Sequence, residues 1–271
     1  MIVNAGGIAP IVDYLNETND SAILPGIMTL GYISAFSETL ALAVILAKGV
    51  KPIIQAVVSD HAANIKAAAA WVLGQIGRHT PEHARAIAEH GGLSALIKIY
   101  KETSDVANPE EEADIKAKSK RALKCIVEKT LTFEALEPML LVSTPLPILK
   151  SVILQFSKIL PNDVGMRRQF VTSGALQRLQ EVASLAKKDP ESASAQLDDL
   201  VNTINKCFPD EVIKYYSPGY SETLLKKVDN FSVTNAPVEK EKRGSQTNLL
   251  KDSAPEALRS NANLVDNSNA L

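Results

Sequence analysis

An all-α solenoid, a stack of helical repeats about 42 residues long, is the fold this 271-residue sequence predicts. Three observations predict it. Glycines that precede an apolar run recur at a fixed step: Gly7 in NAGGIAPIVDYL, Gly49 in LAKGVKPIIQAV, Gly92 in AEHGGLSALIKIY and Gly174 in VTSGALQRLQEV. The steps are 42, 43 and 82, and the last is two units of 41. Leu30-Gly31-Tyr32-Ile33 returns as Leu73-Gly74-Gln75-Ile76 at a shift of 43. The chain is 45% hydrophobic but only 5% aromatic, and this aliphatic mix favours helices packed on helices with close backbone approach.

Each repeat reads as short helix, glycine turn, medium helix, loop, long helix. The glycine is expected to take the left-handed conformation that ends the short helix. SETLALAVILAKG and PEHARAIAEHGG fill the short-helix slot. LPGIMTLGYISAFSE, IKAAAAWVLGQIGRHTPE and IKAKSKRALKCIVEKT fill the long one, with small or apolar residues at three- and four-residue spacing. Gly31 and Gly74 are costly inside a helix, so their recurrence predicts a helix backbone pressed onto its neighbour. KETSDVANPEEEADIK inserts about seven residues and a block of acids before the third long helix, expected as a solvated loop. LTFEALEPMLLVSTPLPILKSVILQFSKIL is a degenerate repeat with Pro138, Pro145 and Pro147 in its linkers. SLAKKDPESASAQLDDLVNTINKCFPDEVIKYYSPGYSETLLKKVDNF supplies the last long helix and a closing segment, in keeping with the unusual terminal repeats that cap a solenoid. The expected organisation is a solenoid over 1–230, of about five repeats with the fourth degenerate and the last capping, followed by a disordered polar tail over 231–271. That tail is rich in Asn, Ser, Lys and Glu and cannot bury enough surface to offset ordering entropy. Within it, Ser245, Thr247 and Ser253 could accept phosphate. Residue 1 falls inside a short-helix-to-glycine junction, which reads as the C-terminal part of a longer solenoid or an isoform with an open first repeat.

Composition excludes several function classes. The formal net charge of −2 argues against bulk nucleic-acid binding. Cys125 and Cys207 show neither pairing pattern nor metal spacing and read as reduced thiols of a cytoplasmic protein. The first residues lack the basic start and apolar core of a signal peptide. The apolar run LALAVILAKGV is too short to cross a membrane and ends in Lys48-Gly49.

One motif invites an enzyme reading. His79-Thr80-Pro81-Glu82-His83 is H-x-x-E-H, the inverted zinc-protease pattern. Such a site needs both histidines one turn apart on a continuous helix. Pro81 forbids that inside a helix but suits its first position, with Thr80 as N-cap and Glu82 in the first turn. The motif therefore reads as a helix start flanked by two surface histidines. The neighbouring repeat fills the same slot, residues 37 to 49, without a histidine. No nucleophile elbow, phosphate loop or cysteine–histidine arrangement appears. The expectation is a protein that is not an enzyme, with no metal, cofactor or small-molecule substrate.

The long helices are expected to line the inner groove of the superhelix. Trp71 and Gln75 stand one turn apart there, which resembles the Trp-x-x-x-Asn pattern with which armadillo proteins that import nuclear cargo grip extended peptides. The matching pairs are Met28 and Tyr32, Arg121 and Cys125, and Leu154 and Lys158, so a single rung of that ladder survives, with Gln in place of Asn. Tyr32, Trp71, Gln75, Arg121 and Lys158 are the candidate groove contacts, Trp71 foremost as a packing residue. Lys66, Lys116, Lys118, Lys120 and Arg121 lie near long-helix starts. They read as solvated faces, or as a groove for an acidic partner such as a tubulin surface.

The repeat itself resembles the armadillo family, a right-handed α-solenoid superhelix. WVLGQIGRHTPEHAR and YYSPGYSETLL carry a narrower resemblance, spread over about residues 1 to 230. They look like the C-terminal half of the sperm-associated antigen armadillo proteins of the ciliary central apparatus. That resemblance implies a structural protein of the cytoplasm and cytoskeleton, in the axoneme of cilia and flagella, supporting central-pair integrity and sperm motility. Its partners would be other central-apparatus proteins and tubulin. An armadillo adaptor or signalling scaffold outside cilia is the competing reading, because a fold alone does not set function.

Overall fold

The computed structural model describes residues 3, 5–18, 22–102, 108–188 and 195–230. The polar segment from 231, with its three phosphate-acceptor candidates, lies outside them, as do 103–107 and 189–194.

Apolar periodicity and good caps build the helices in the expected order. The first pair is α1 (Ile8–Glu17) and α2 (Ile23–Phe36). A full repeat follows: α3 (Glu38–Leu46), α4 (Val50–Val58) and α5 (Ala63–Gly77). The next comprises α6 (Pro81–Glu89), α7 (Gly92–Glu102) and α8 (Pro109–Val127). Caps mark the starts. The Ser37 hydroxyl accepts from the Leu40 N–H at the head of α3, and Asp163 accepts from Met166. The long helices stack side by side, α2 on α5, α5 on α8 and α8 on α10, and α2, α5 and α8 each bury an apolar stripe against the medium helix of their own repeat, α1, α4 and α7. Leu30, Leu73 and Leu123 are fully buried in this layer.

The fourth unit departs from the pattern. It holds α9 (Phe133–Leu136), a 3-10 turn (Glu137–Met139) and α10 (Leu146–Ile159), with no medium helix between them. Pro138 sits in the first turn of the 3-10 segment, and Pro145 and Pro147 flank the start of α10. Aromatic rings cluster beside it. Phe156 meets Phe170 edge-on at 5.0 Å between ring centres, Phe133 lies 6.0 Å from Phe156, and Phe208 stacks on Phe170 at 5.9 Å. Four of the six phenylalanines therefore stand in one cluster. Beyond it come α11 (Val164–Thr172), α12 (Ala175–Lys188), α13 (Ala195–Asn205), α14 (Asp210–Tyr216) and α15 (Tyr220–Asp229). The last two bury no residue fully.

Close backbone approach at the helix-interior glycines is observed. A β-carbon on Gly74 would stand 3.0 Å from both Cα and Cβ of Ala122 on α8. One on Gly31 would overlap the Trp71 ring and lie 2.7 Å from Val72 on α5. Absence of a side chain is what lets these helices touch.

Two expectations are corrected. The left-handed residue of the turn is not the aligned glycine in three of four cases but the residue before it: Gly6, Lys48 and Gly91, with φ of 72°, 62° and 77°. Only Gly174 of the aligned set is itself left-handed, at 79°. Gly49 is right-handed and makes room: a β-carbon there would meet the Val44 side chain at 2.9 Å and its carbonyl oxygen at 3.1 Å. The same holds at Gly92, where the Ile87 carbonyl oxygen would be 3.0 Å away. The pair thus divides two tasks, a turn that needs a left-handed residue and a helix start that lacks space. Lys48 performs the first with a side chain, so replacing Lys48 with Gly is expected to stabilise the chain by about 0.5–1 kcal/mol. Urea unfolding followed by circular dichroism checks it, and a lowered midpoint would refute it.

The second correction concerns the acid block. Asn108 accepts from the Glu110 N–H, Pro109 takes the first helical turn, and Glu110, Glu111 and Glu112 follow within α8. These acids are the helix's first turn, favoured by its dipole, and not a loop. Lys116 and Lys118 consequently lie mid-helix and pair with Glu112 and Asp114 one turn earlier. Among the described residues no single helix is long and apolar enough to cross a membrane, and α3 and α4 meet at 81° across Lys48-Gly49.

Candidate functional site

Two groups of polar residues stand out: the histidine motif and the α5–α8 groove. In the first, Thr80 precedes α6, Pro81 opens it and Glu82 lies in its first turn, as the residue types require. His79 is outside the helix and His83 within it. The rings do not converge on a common point. His79 Nε2 donates to the Ser34 carbonyl at 2.8 Å, and His83 Nε2 donates to the Glu38 carbonyl at 3.1 Å. The Thr80 hydroxyl donates to His83 Nδ1 at 2.7 Å. The Arg78 guanidinium adds a bond to the Ala35 carbonyl at 2.7 Å. All three side chains reach back 43 to 45 residues, one repeat, to the carbonyls where α2 ends and α3 begins. Ser34 and Ala35 lie in the last turn of α2, where carbonyls have no partner within their own helix. Both ring nitrogens of His83 are consumed by this seam. The expectation of two surface histidines fails for His83, which is 2% exposed because α6 packs against α3. A histidine is legible in the sequence, but not the carbonyl one repeat away that accepts its hydrogen bond.

The groove lies between exposed faces of α5 and α8 and holds about 210 Å³. From α5 it receives Trp71, Gly74, Gln75 and Arg78, spaced three and four apart on one helix face. From α8 it receives Lys118, Arg121 and Cys125. Tyr32 stands beside it, 64% exposed, its ring edge-on to Trp71 at 5.3 Å. Trp71 is half-buried: it covers Gly31 on one side and lines the groove on the other. The structure thus brings Tyr32, Trp71, Gln75 and Arg121 together. Lys158 is exposed near the end of α10 and is not part of the lining. Arg78 and Lys118 line the groove and were not among the candidates. Arg78 falls one turn after Gln75, and that spacing could have indicated it.

Charge and hydrogen bonding distinguish the lining. Its ionisable groups are cationic apart from Cys125: Arg78, Lys118 and Arg121. Arg78 is held by the Ala35 carbonyl and Lys118 by Asp114, whereas Arg121 is exposed and forms no ion pair among the described residues. Gln75 is 8% exposed, and its amide hydrogen-bonds to no group among the described residues. The other thiol, Cys207, lies away from the groove. Burial pushes it up, with Arg167 pulling weakly the other way, which keeps it protonated and poorly nucleophilic.

Comparison with known proteins shows what the chain resembles. No protein-family model matches it. It is 49% identical over 172 residues to sperm-associated antigen 6 of Homo sapiens, covering 64% of this chain and 31% of that protein. Against the Mus musculus protein of the same name it is 49% identical over 168 residues, 62% of this chain and 30% of the other. The chain therefore spans about a third of the length of these curated relatives. Among solved structures, a computationally designed armadillo repeat protein for modular peptide recognition superposes with a TM-score of 0.51 at 16% identity, covering 81% of this chain and 92% of that one. A designed armadillo repeat protein in complex with the peptide (KR)4 gives 0.50 at 18% identity, over 77% and 84%. The fold is an armadillo-repeat solenoid.

Proposed function

From a chain that is a homologue of sperm-associated antigen 6 over 64% of its length and folds as an armadillo-repeat solenoid, we propose a non-catalytic structural scaffold of the axonemal central apparatus. It supports central-pair integrity and the motility of cilia and sperm flagella through protein–protein contacts. Its partners are other central-apparatus proteins and tubulin. The observation that carries this reading is the 49% identity extended over 172 residues, a length of several repeats rather than one. The physics suits the role. Repeats contact only their neighbours, so the solenoid presents a long surface that several proteins can share. Weak single contacts then gain from one another through effective concentration. The polar groups of the histidine motif are spent on the repeat seam, which supports a structural and not a catalytic use.

A cell-based extraction tests it. The tagged chain is expressed in cells with motile cilia, membrane and soluble matrix are removed with detergent, and the axoneme is probed along its length. Retention on the central pair is the expected result. The full-length human relative serves as reference in the same cells. If the relative stays and this chain washes out, the axonemal role does not belong to these repeats. A soluble adaptor of peptide segments, outside cilia, is then the better reading, favoured by the Trp71–Gln75 rung of the groove.

A further inference from the structure

We infer that the fourth unit is a bending joint: helices α1–α8 and helices α9–α15 are two stiff bodies, and the contact of α8 with α10 is the axis on which they turn. The joint itself rests on the packing alone. Its use, following changes in the spacing of attachment points, rests on the reading of the chain as a multivalent scaffold.

Each body is fastened internally. In the first, successive repeats meet along three lines: short helix on short helix (α3 on α6), medium on medium (α1 on α4, α4 on α7) and long on long (α2 on α5, α5 on α8). The close approaches at Gly31 and Gly74, and the bonds of Arg78, His79 and His83 to carbonyls one repeat earlier, hold those lines together. In the second body, the ring contacts of Phe133, Phe156, Phe170 and Phe208 run from α9 through α10 and α11 to the residues just after α13. The Arg178 guanidinium on α12 pairs with Glu137, and Gln180 donates to Asn205 at 2.7 Å.

Between the bodies one line is missing. α6 meets α9, a helix of four residues, and α8 meets α10, but no medium helix follows α7 in the fourth unit. α8 also meets α10 over a shorter stretch than it meets α5, although α10 and α5 are similar in length, 14 and 15 residues. Three lines of contact fix one body against another, whereas two leave a rotation that opens and closes the side without a helix. The linking residues 128–132 are not helical and can absorb that rotation. The polar tie at the axis is incomplete as well. Gln155 on α10 is 3% exposed, and its Nε2 donates to the Thr130 carbonyl at 2.9 Å. Its Oε1 is buried with no hydrogen-bond partner among the described residues. A rotation that lets water reach this oxygen gains a hydrogen bond, which offsets part of the packing it loses.

The chain's two cysteines test the joint, because Cys125 on α8 and Cys207 beyond α13 stand on opposite sides of it and both are partly exposed. Nitroxide labels on this pair in the full chain give the spread of distances across the joint by double electron–electron resonance. Two control pairs stay within one body each. Cys125 is paired with Lys51→Cys on α4 in a Cys207→Ser background, and Cys207 with Lys158→Cys on α10 in a Cys125→Ser background; both lysines are exposed. Distances across the joint are expected to spread at least about twice as widely as those of either control. Gln155→Ala should widen them further and leave both controls unchanged. Circular dichroism confirms that each variant keeps its helices. A spread across the joint as narrow as the controls would overturn the inference. So would an equally broad spread for the pair within the second body, because the motion would then lie inside that body. No effect of Gln155→Ala would overturn the placing of the axis at the α8–α10 contact. A rigid junction leaves the scaffold reading to axonemal retention, which does not depend on bending.

Discussion

Replacing Phe156 with Ala is expected to cost about 3–5 kcal/mol of stability, the largest loss of any single truncation considered. Phe156 is fully buried and holds Phe170 edge-on at 5.0 Å and Phe133 at 6.0 Å. The fourth unit has no medium helix, and these rings form part of its core. Shortening the side chain removes its transfer free energy and leaves a cavity that the short α9 cannot close. Urea unfolding followed by helical ellipticity measures the loss, and a change below about 1 kcal/mol would show that the cluster is not the core of this region. Trp71 reports separately on the repeats around α5. Because solenoid repeats couple only to neighbours, its midpoint should move less than that of the ellipticity.

Replacing Gly74 with Val is expected to lower stability by about 3 kcal/mol. Helix propensity alone argues the other way, since glycine is the poorer helix former by up to about 1 kcal/mol. Packing decides the sign. The new β-carbon would stand 3.0 Å from the Ala122 Cα, and that atom belongs to backbone and cannot turn aside as a long side chain could. The two γ-methyl groups would then require α5 and α8 to separate. The same movement opens the floor of the groove, so Trp71 emission should shift to longer wavelength as the indole meets water. Calorimetric unfolding together with the emission spectrum checks both effects. A variant as stable as the parent, with an unchanged spectrum, would mean that the two long helices are not held at this contact.

Some features of the fold are legible in residue order and others are not. The Gly31 and Gly74 contacts could be read because the cost of a helix-interior glycine recurs at the repeat distance. The start of α6 could be read because Thr80, Pro81 and Glu82 each suit one position of a helix N-terminus. The same logic was available at Asn108-Pro109-Glu110, where the density of acids suggested a loop instead. The left-handed turn was assigned one residue late at three sites, because two adjacent positions each have a reason to be glycine. In the groove, the Trp71–Gln75 spacing was visible, while the inclusion of Lys118 and the exclusion of Lys158 depended on how α8 and α10 sit against their neighbours.

By itself the sequence determined the all-α repeat, its period, the order of short, medium and long helices, and the positions where two backbones must touch. Those are consequences of local propensity and of periodic burial, which act within a few residues or recur at a set distance. Only the tertiary structure decided that His79 and His83 hold the carbonyls of the preceding repeat, that four phenylalanines form one cluster, and that Gln75 and Arg121 line one groove. Each of these joins groups 14 to 46 residues apart, and a hydrogen bond or a ring contact is settled by ångström-scale distances that helix packing sets and residue order does not.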